Sequence, residues 1–150
     1  MNESTEQWKQ LLDEVAEENN LNLQSFEVKD KLHPLFWKSD SLLKEYIANR
    51  LYRIAKTFFQ KLEVGGAKIR DVTITGSISN YTWSRYSDID LHVLIDYNDV
   101  DENLDLVQEY LRGASGAWNR NHKIIIKGHE VEVYVQDVNE PHYSTGVYSL

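Results

Sequence analysis

DVTITGSISNYTWSRYSDIDLHVLID, residues 71–96, decides how this chain folds. Asp71 to Thr75 alternates Val72 and Ile74 with polar neighbours, the period-2 pattern of a half-buried strand. Gly76-Ser77 breaks that pattern, and a short helix or loop follows. Ile89 to Ile95 reads as a second strand, with Ile89, Leu91, Val93 and Ile95 on one face. Asp88, Asp90 and His92 fall on the other, because alternate strand side chains point the same way. Two carboxylates at one strand end repel each other unless a cation lies between them. A few oxygen ligands, with room left for water and phosphate oxygens, are what Mg²⁺ prefers. Gly76 lets the backbone approach closely, and Ser77 is expected to cap a helix N-terminus whose free N–H groups face an anion.

Upstream, Asp40 to Leu62 predicts a helix capped by Asp40 or Ser41, with Leu43, Ile47, Leu51, Ile54, Phe58 and Leu62 at helical spacing. Lys44, Arg50, Arg53, Lys56 and Lys61 lie along it. A solvated face is the preferred reading of these cations, and a flank of a substrate cleft is the functional one. Gly65-Gly66 should end the helix. Residues 4–19 read as an amphipathic helix bearing Trp8, Leu11, Leu12 and Val15 on one face. Leu21 to Pro34 reads as an extended or loop segment packed on the core.

Downstream, Tyr97-Asn98-Asp99 is a turn, and Asp101 to Leu111 a helix with Leu104, Val107, Tyr110 and Leu111 inward. Gly113 to Gly116 should break the chain. His122 to Lys127 and Glu130 to Asp137 predict two strands joined by Gly128-His129. The closing STGVYSL looks like the opening of another element.

A length of 150 residues suits one compact domain with a real core, arranged as N-terminal helical segments over 1–66 and a core over 67–150. The N-terminus is polar and acidic, unlike a signal peptide, and no run approaches a membrane span. The absence of cysteine excludes thiolate chemistry and disulfides and fits a cytoplasmic protein. A net charge of −8 argues against an extended nucleic-acid ligand and towards a small substrate or a protein partner.

Gly76-Ser77, ten intervening residues and then Asp88-Ile89-Asp90-Leu91 resemble the signature of the DNA polymerase β-like nucleotidyltransferase superfamily. The resemblance spans roughly residues 70–137. It implies an α/β (α+β) fold with a mixed, mostly antiparallel sheet flanked by helices. It also implies an enzyme that transfers NMP from an NTP to a hydroxyl acceptor. That acceptor could be a small molecule, a protein side chain or a nucleic-acid end. Two Mg²⁺ ions would stabilise both ends of the in-line displacement.

The resemblance gives Asp88 and Asp90 as metal ligands and catalytic residues, and it calls for a third carboxylate on a later strand. Glu130 and Glu132 are the candidates; both share a strand face, and Glu132, mid-strand, is preferred for the catalytic and metal-binding role. Glu132 or Asp90 could take the acceptor's proton. Gly76, Ser77, Arg85 and Ser87 fall to nucleotide binding, Ser77 through the triphosphate and Arg85 by pairing with phosphate or as a plain surface arginine. Tyr81, Trp83 and Tyr86 could stack on a base, though packing of the loop is the preferred reading. His92 reads as a polar strand histidine, and His122, His129 and His142 lack ligand spacing for zinc. The run His142 to Ser149 resembles, weakly, a pocket-lining segment of some relatives.

Two other readings compete. One is a binding module of the same fold, such as an antitoxin that works through, or modifies, its partner. The other is a plain α/β domain with a chance motif. With the chain ending where it does, the resemblance suggests a minimal family member or a piece of a longer chain.

Overall fold

A computed structural model describes residues 9–11, 28–141 and 147–150. Residues 9–11 are helical; the rest of the helix expected over 4–19, residues 21–27 and most of the run 142–149 lie outside the described residues. The architecture is mixed α+β. A small hairpin, β1 (Trp37–Ser39) and β2 (Leu42–Leu43), precedes helix α1 (Glu45–Leu62). Strand β3 (Asp71–Thr75) leads through a 3₁₀ turn, Ser77–Ser79, to β4 (Ile89–Ile95). A second 3₁₀ turn, Tyr97–Asp99, precedes helix α2 (Leu104–Asn121). The chain closes with β5 (Ile124–Ile126), β6 (His129–Asp137) and β7 (Tyr148–Ser149).

The main sheet runs β5-β6-β4-β3-β7. Only β4 and β6 are parallel; the other three ladders are antiparallel. The odd-numbered apolar residues of β4 and β6, from Ile89 to Ile95 and from Val131 to Val135, share one face with Val72 and Ile74. Both helices cover that same face. Ile47, Leu51, Ala55, Phe58 and Leu62 of α1 and Val107, Leu111 and Trp118 of α2 join those strand residues in one core. The helices therefore do not straddle the sheet. The opposite face carries Asp90, His92, Glu132 and Tyr134, aligned by the same registers.

Several boundaries differ from expectation, each for a physical reason. Helix α1 begins at Glu45, with Lys44 as its N-cap and no side-chain capping bond, instead of at Asp40 or Ser41. Asp40-Ser41 turns the β1–β2 hairpin, which buries Trp37 and Leu43 as register partners. Tertiary burial of those two side chains outweighs local capping. The helix ends at Leu62 because Glu63 adopts a left-handed conformation, φ 54°; Gly65-Gly66 form the turn beyond it.

Helix α2 starts later than expected, at Leu104, where the Asn103 side chain accepts from the Leu106 N–H at 3.2 Å. It then runs straight through Gly113 to Gly116, where a break was expected. Val107, Leu111, Ser115 and Trp118 keep helical spacing and are buried, so packing offsets the roughly 1 kcal/mol that each glycine costs a helix. Ser115 also donates to the Leu111 carbonyl. Leu104 and Tyr110, expected inward, are exposed, although the Tyr110 hydroxyl donates to the Leu62 carbonyl.

The β5–β6 hairpin turns at Lys127-Gly128, both at positive φ (51° and 84°), which is the two-residue turn that fits strand twist. His129 is thus the first residue of β6, and β5 is three residues long, against an expected His122 to Lys127. Strand β3 is buried on both faces: Thr73 and Thr75 are covered along with Val72 and Ile74, so it is not half-buried.

Strand β5 pairs with β6 only as far as Val131, and among the described residues no strand continues along that edge of β6. Side chains stand in for the missing strand. The Asn119 amide donates to the Val133 carbonyl at 3.0 Å and accepts from the Val133 N–H at 2.9 Å. The Tyr97 hydroxyl donates to the Val135 carbonyl at 3.2 Å. Asn119→Ala leaves both polar groups of Val133 without a protein partner. It should lower unfolding free energy by about 1–3 kcal/mol, read from the midpoint of urea denaturation.

Candidate functional site

The registers of β4 decide which side chains meet. Asp90 lies opposite Thr75 on β3 and opposite Glu132 on β6. Because β4 and β6 are parallel and in register, Asp90 and Glu132 project from the same face of adjacent strands, about 4.8 Å apart in backbone spacing. Asp88 immediately precedes β4 and is exposed, while Asp90 is half-buried. Glu130 lies on the same face but is held at the hairpin by Lys123, at 3.2 Å.

Electrostatics report the crowding. Burial, then the charges of Glu132 and Asp88, push the Asp90 carboxyl up to about 6. Burial and the charges of Glu132 and Glu130 push Asp88 up as well. Glu132 has a partner of its own: the Tyr134 hydroxyl donates to its Oε2 at 2.5 Å. Burial and this hydrogen bond raise the Tyr134 phenol, which keeps it protonated and donating. Sequence reading places Tyr134 on the strand face of Glu132, two residues on, but gives it no role.

Gly76 closes the cluster from above. Its φ of 85° and ψ of −171° belong to a region that only glycine occupies readily. A Cβ there would lie 2.7 Å from Asp90 Oδ2. The turn backbone therefore packs directly against the carboxylate. Ser77 does not cap a helix as expected. The element that follows is one 3₁₀ turn with Gly76 as its N-cap, and the Ser77 hydroxyl lies 2.6 Å from that of Ser87. Ser87 is buried; its Oγ also accepts from the Ser84 N–H at 2.8 Å, and its carbonyl accepts from His129 Nδ1 at 2.6 Å. The Gly-Ser turn, the start of β4 and the start of β6 are thus tied through one serine. Ser87 holds the turn in place, and its hydroxyl is already spoken for by Ser77 and Ser84.

The intervening loop divides its aromatics. Trp83 donates to the Lys31 carbonyl at 2.6 Å and packs against His33 in a tilted arrangement, ring centroids 4.4 Å apart. Tyr81 and Tyr86 stay exposed. Arg85 donates to the Tyr86 hydroxyl at 2.6 Å and lies over that ring, so it is a solvent-facing arginine with an aromatic partner. His33 is buried against His129 and Phe36, and burial first and His129 second pull its imidazole down to about 4. The Leu35 N–H donates to its Nδ1, which fits the neutral ring. His92 bonds Thr75 through Nε2 at 3.0 Å, as a polar strand histidine does.

Asp88, Asp90 and Glu132 supply hard oxygen donors, and the Gly76 backbone lies so close to Asp90 that a Cβ there would meet its Oδ2. The donor chemistry fits Mg²⁺. Among the described residues, no three carboxylate or imidazole groups converge closely enough to hold a metal as they stand. Glu132 accepts from Tyr134 through Oε2, which leaves Oε1 for a cation. Comparison with protein-family models, curated proteins and solved structures returns no match.

Gly76→Ala forces both an unfavourable backbone and a clash with Asp90, and should cost about 2–4 kcal/mol by urea denaturation. The raised Asp90 carboxyl favours folding fully only below its unfolded value of 3.8, and that contribution is lost as pH rises through about 6. His33, whose value is lowered, acts oppositely over much of the same range: its stabilisation is complete above its unfolded value of 6.5 and is lost as pH falls through about 4. The difference between Asp90→Asn and the unmodified protein isolates the first effect. In metal-free buffer the variant should gain about 1–2 kcal/mol relative to the unmodified protein between pH 4 and pH 7, after solvent screening of a half-exposed carboxyl is allowed for.

Proposed function

We infer that this chain is a Mg²⁺-dependent nucleotidyltransferase that moves an NMP group from an NTP to a hydroxyl acceptor. The observation that carries the reading is the parallel register that sets Glu132 beside Asp90, with Asp88 at the strand end and the Gly76 backbone against Asp90. Folding alone gains nothing from three mutually repelling carboxylates; a cation and a polyanion bound there would. The mixed sheet, antiparallel but for β4 and β6, is consistent with the nucleotidyltransferase-like fold that the Gly-Ser and Asp-x-Asp spacing resembles.

Mg²⁺, held by Asp88, Asp90 and Glu132, would neutralise the triphosphate and lower the pKa of the acceptor hydroxyl. The acceptor oxygen forms a bond to the α-phosphorus, the bond from that phosphorus to the β-bridging oxygen breaks, and pyrophosphate leaves with the electron pair. The acceptor's proton passes to a carboxylate. Asp90 or Glu132, which project together from adjacent strands, would take it. Gly76 gives the phosphates close access to backbone. Ser77, its hydroxyl 2.6 Å from that of Ser87, would meet the phosphates at the same turn. Tyr81 and Tyr86 remain exposed in the neighbouring loop and offer faces to a base.

Calorimetric titration with ATP, GTP, CTP and UTP in the presence of Mg²⁺ tests this. One NTP should bind in a metal-dependent way, and an Asp88→Ala, Asp90→Ala double variant should bind it roughly a hundredfold more weakly, as loss of two charged contacts implies. If the folded protein binds no NTP, the transferase reading of this chain fails and the binding-module reading takes its place.

A further inference from the structure

The far side of the sheet from the carboxylates carries a charge pattern that the transferase reading does not use. Helix α1 has a single acid, Glu45, at its first position; from Tyr46 to Leu62 it bears Arg50, Arg53, Lys56 and Lys61 and no carboxylate. The second half of α2, from Leu111 to Asn121, bears Arg112 and Arg120 and again no carboxylate. In a chain of net charge −8 this is strong local segregation.

These elements meet in a groove of about 350 Å³. Arg50, Arg53 and Thr57 enter it from one stripe of α1, Trp118 and His122 from the end of α2, and Ile124 from β5. Among the described residues neither arginine pairs with a carboxylate. Arg50 makes one long contact, 3.5 Å, to the Ile125 carbonyl. His122 Nδ1 donates to the Trp118 carbonyl at 3.0 Å, which fixes the ring against the groove. Lys61 lies over the Trp118 ring and adds further positive charge.

We propose that this groove is an anion site for a phosphate-bearing ligand, separate from the carboxylate cluster. Arg50 and Arg53, about one helical turn apart on α1, each bring a planar guanidinium whose N–H fork matches phosphate oxygens. The groove floor excludes recognition through a base. Trp118 is only 8% exposed, stacked by His122 at 3.8 Å and edged by Phe58 at 5.4 Å, so it has no open face to stack on. The ligand is held by its phosphates: either those of a soluble oligophosphate or those along a single nucleic-acid strand.

The test is NMR titration of the ¹⁵N-labelled full chain with tripolyphosphate in EDTA, following the Trp118 indole and the side-chain N–H signals of Arg50 and Arg53. Without divalent metal the carboxylate cluster repels the probe, so this result and the NTP result can fail independently. Saturable shifts at the groove are expected, weakened roughly tenfold or more in Arg50→Gln, Arg53→Gln. A control with the same loss of charge outside the groove, Lys56→Gln, Lys68→Gln, should change affinity by less than about twofold. A short oligouridylate forms the second arm. Tighter saturable binding than tripolyphosphate assigns the site to a nucleic-acid strand, and weaker binding assigns it to a soluble oligophosphate. Absence of saturable shifts at the groove with either probe, or equal weakening in both double variants, overturns the proposal.

Discussion

The pairing of β4 with β6 is the constraint on which the molecule depends. It is the one parallel ladder in the sheet, and its seven register pairs run from Ile89 with Val131 to Ile95 with Asp137. Ile89, Leu91, Val93, Ile95, Val131 and Val133 are almost wholly buried under the two helices. A slip of one residue would turn this apolar set outward and drive Asp90 and Glu132 into the core. Hydrophobic burial on one face therefore fixes the positions of charges on the other. The carboxylates are held together by aliphatic packing, against their own repulsion.

A second set of ties fixes how the chain enters β4. Gly76 has room for no side chain, because Asp90 occupies the place where a Cβ would be. Ser87 binds the Ser77 hydroxyl and the Ser84 N–H, and receives His129 at its carbonyl. His129 is itself packed between His33 and Phe36, and His33 carries Trp83. The path from the Gly-Ser turn to the first residue of β6 thus runs through one buried hydroxyl and a cluster of rings. A change at His33 or Phe36 would reach the carboxylates through that cluster without touching them.

Much of this was legible from residue order. The bounds of β3 and β4 follow directly from alternation and the Gly-Ser break, and the shared face of Asp90 and Glu132 follows from period 2. Their adjacency did not, because nothing in Glu130-Val-Glu132 says which strand β6 will pair with or in which register. Two of the misread boundaries share one cause. Asp40-Ser41 and Gly113 to Gly116 carry strong local signals, for a cap and for a break, and tertiary burial of Leu43, Ser115 and Trp118 overrode both. Sequence reading gives Tyr134 no role and assigns Ser87 to the nucleotide, because the partners that a strand tyrosine and a loop serine take up are set only by the fold. The cations of α1 read as a solvated stripe, since only the fold brings His122 and Trp118 to meet Arg50 and Arg53.

The capped edge of β6 has a consequence for how the protein behaves in crowded solution. An uncovered strand edge is a row of donors and acceptors that another chain can extend into a continuous sheet. Here the row beyond β5 is interrupted by an amide from Asn119 and a phenol from Tyr97, neither of which can propagate the ladder. The same side chains that complete the backbone's hydrogen bonds therefore act as terminators of sheet growth. Strand β6, rich in valine and set at the rim of the sheet, can remain there without recruiting a neighbour.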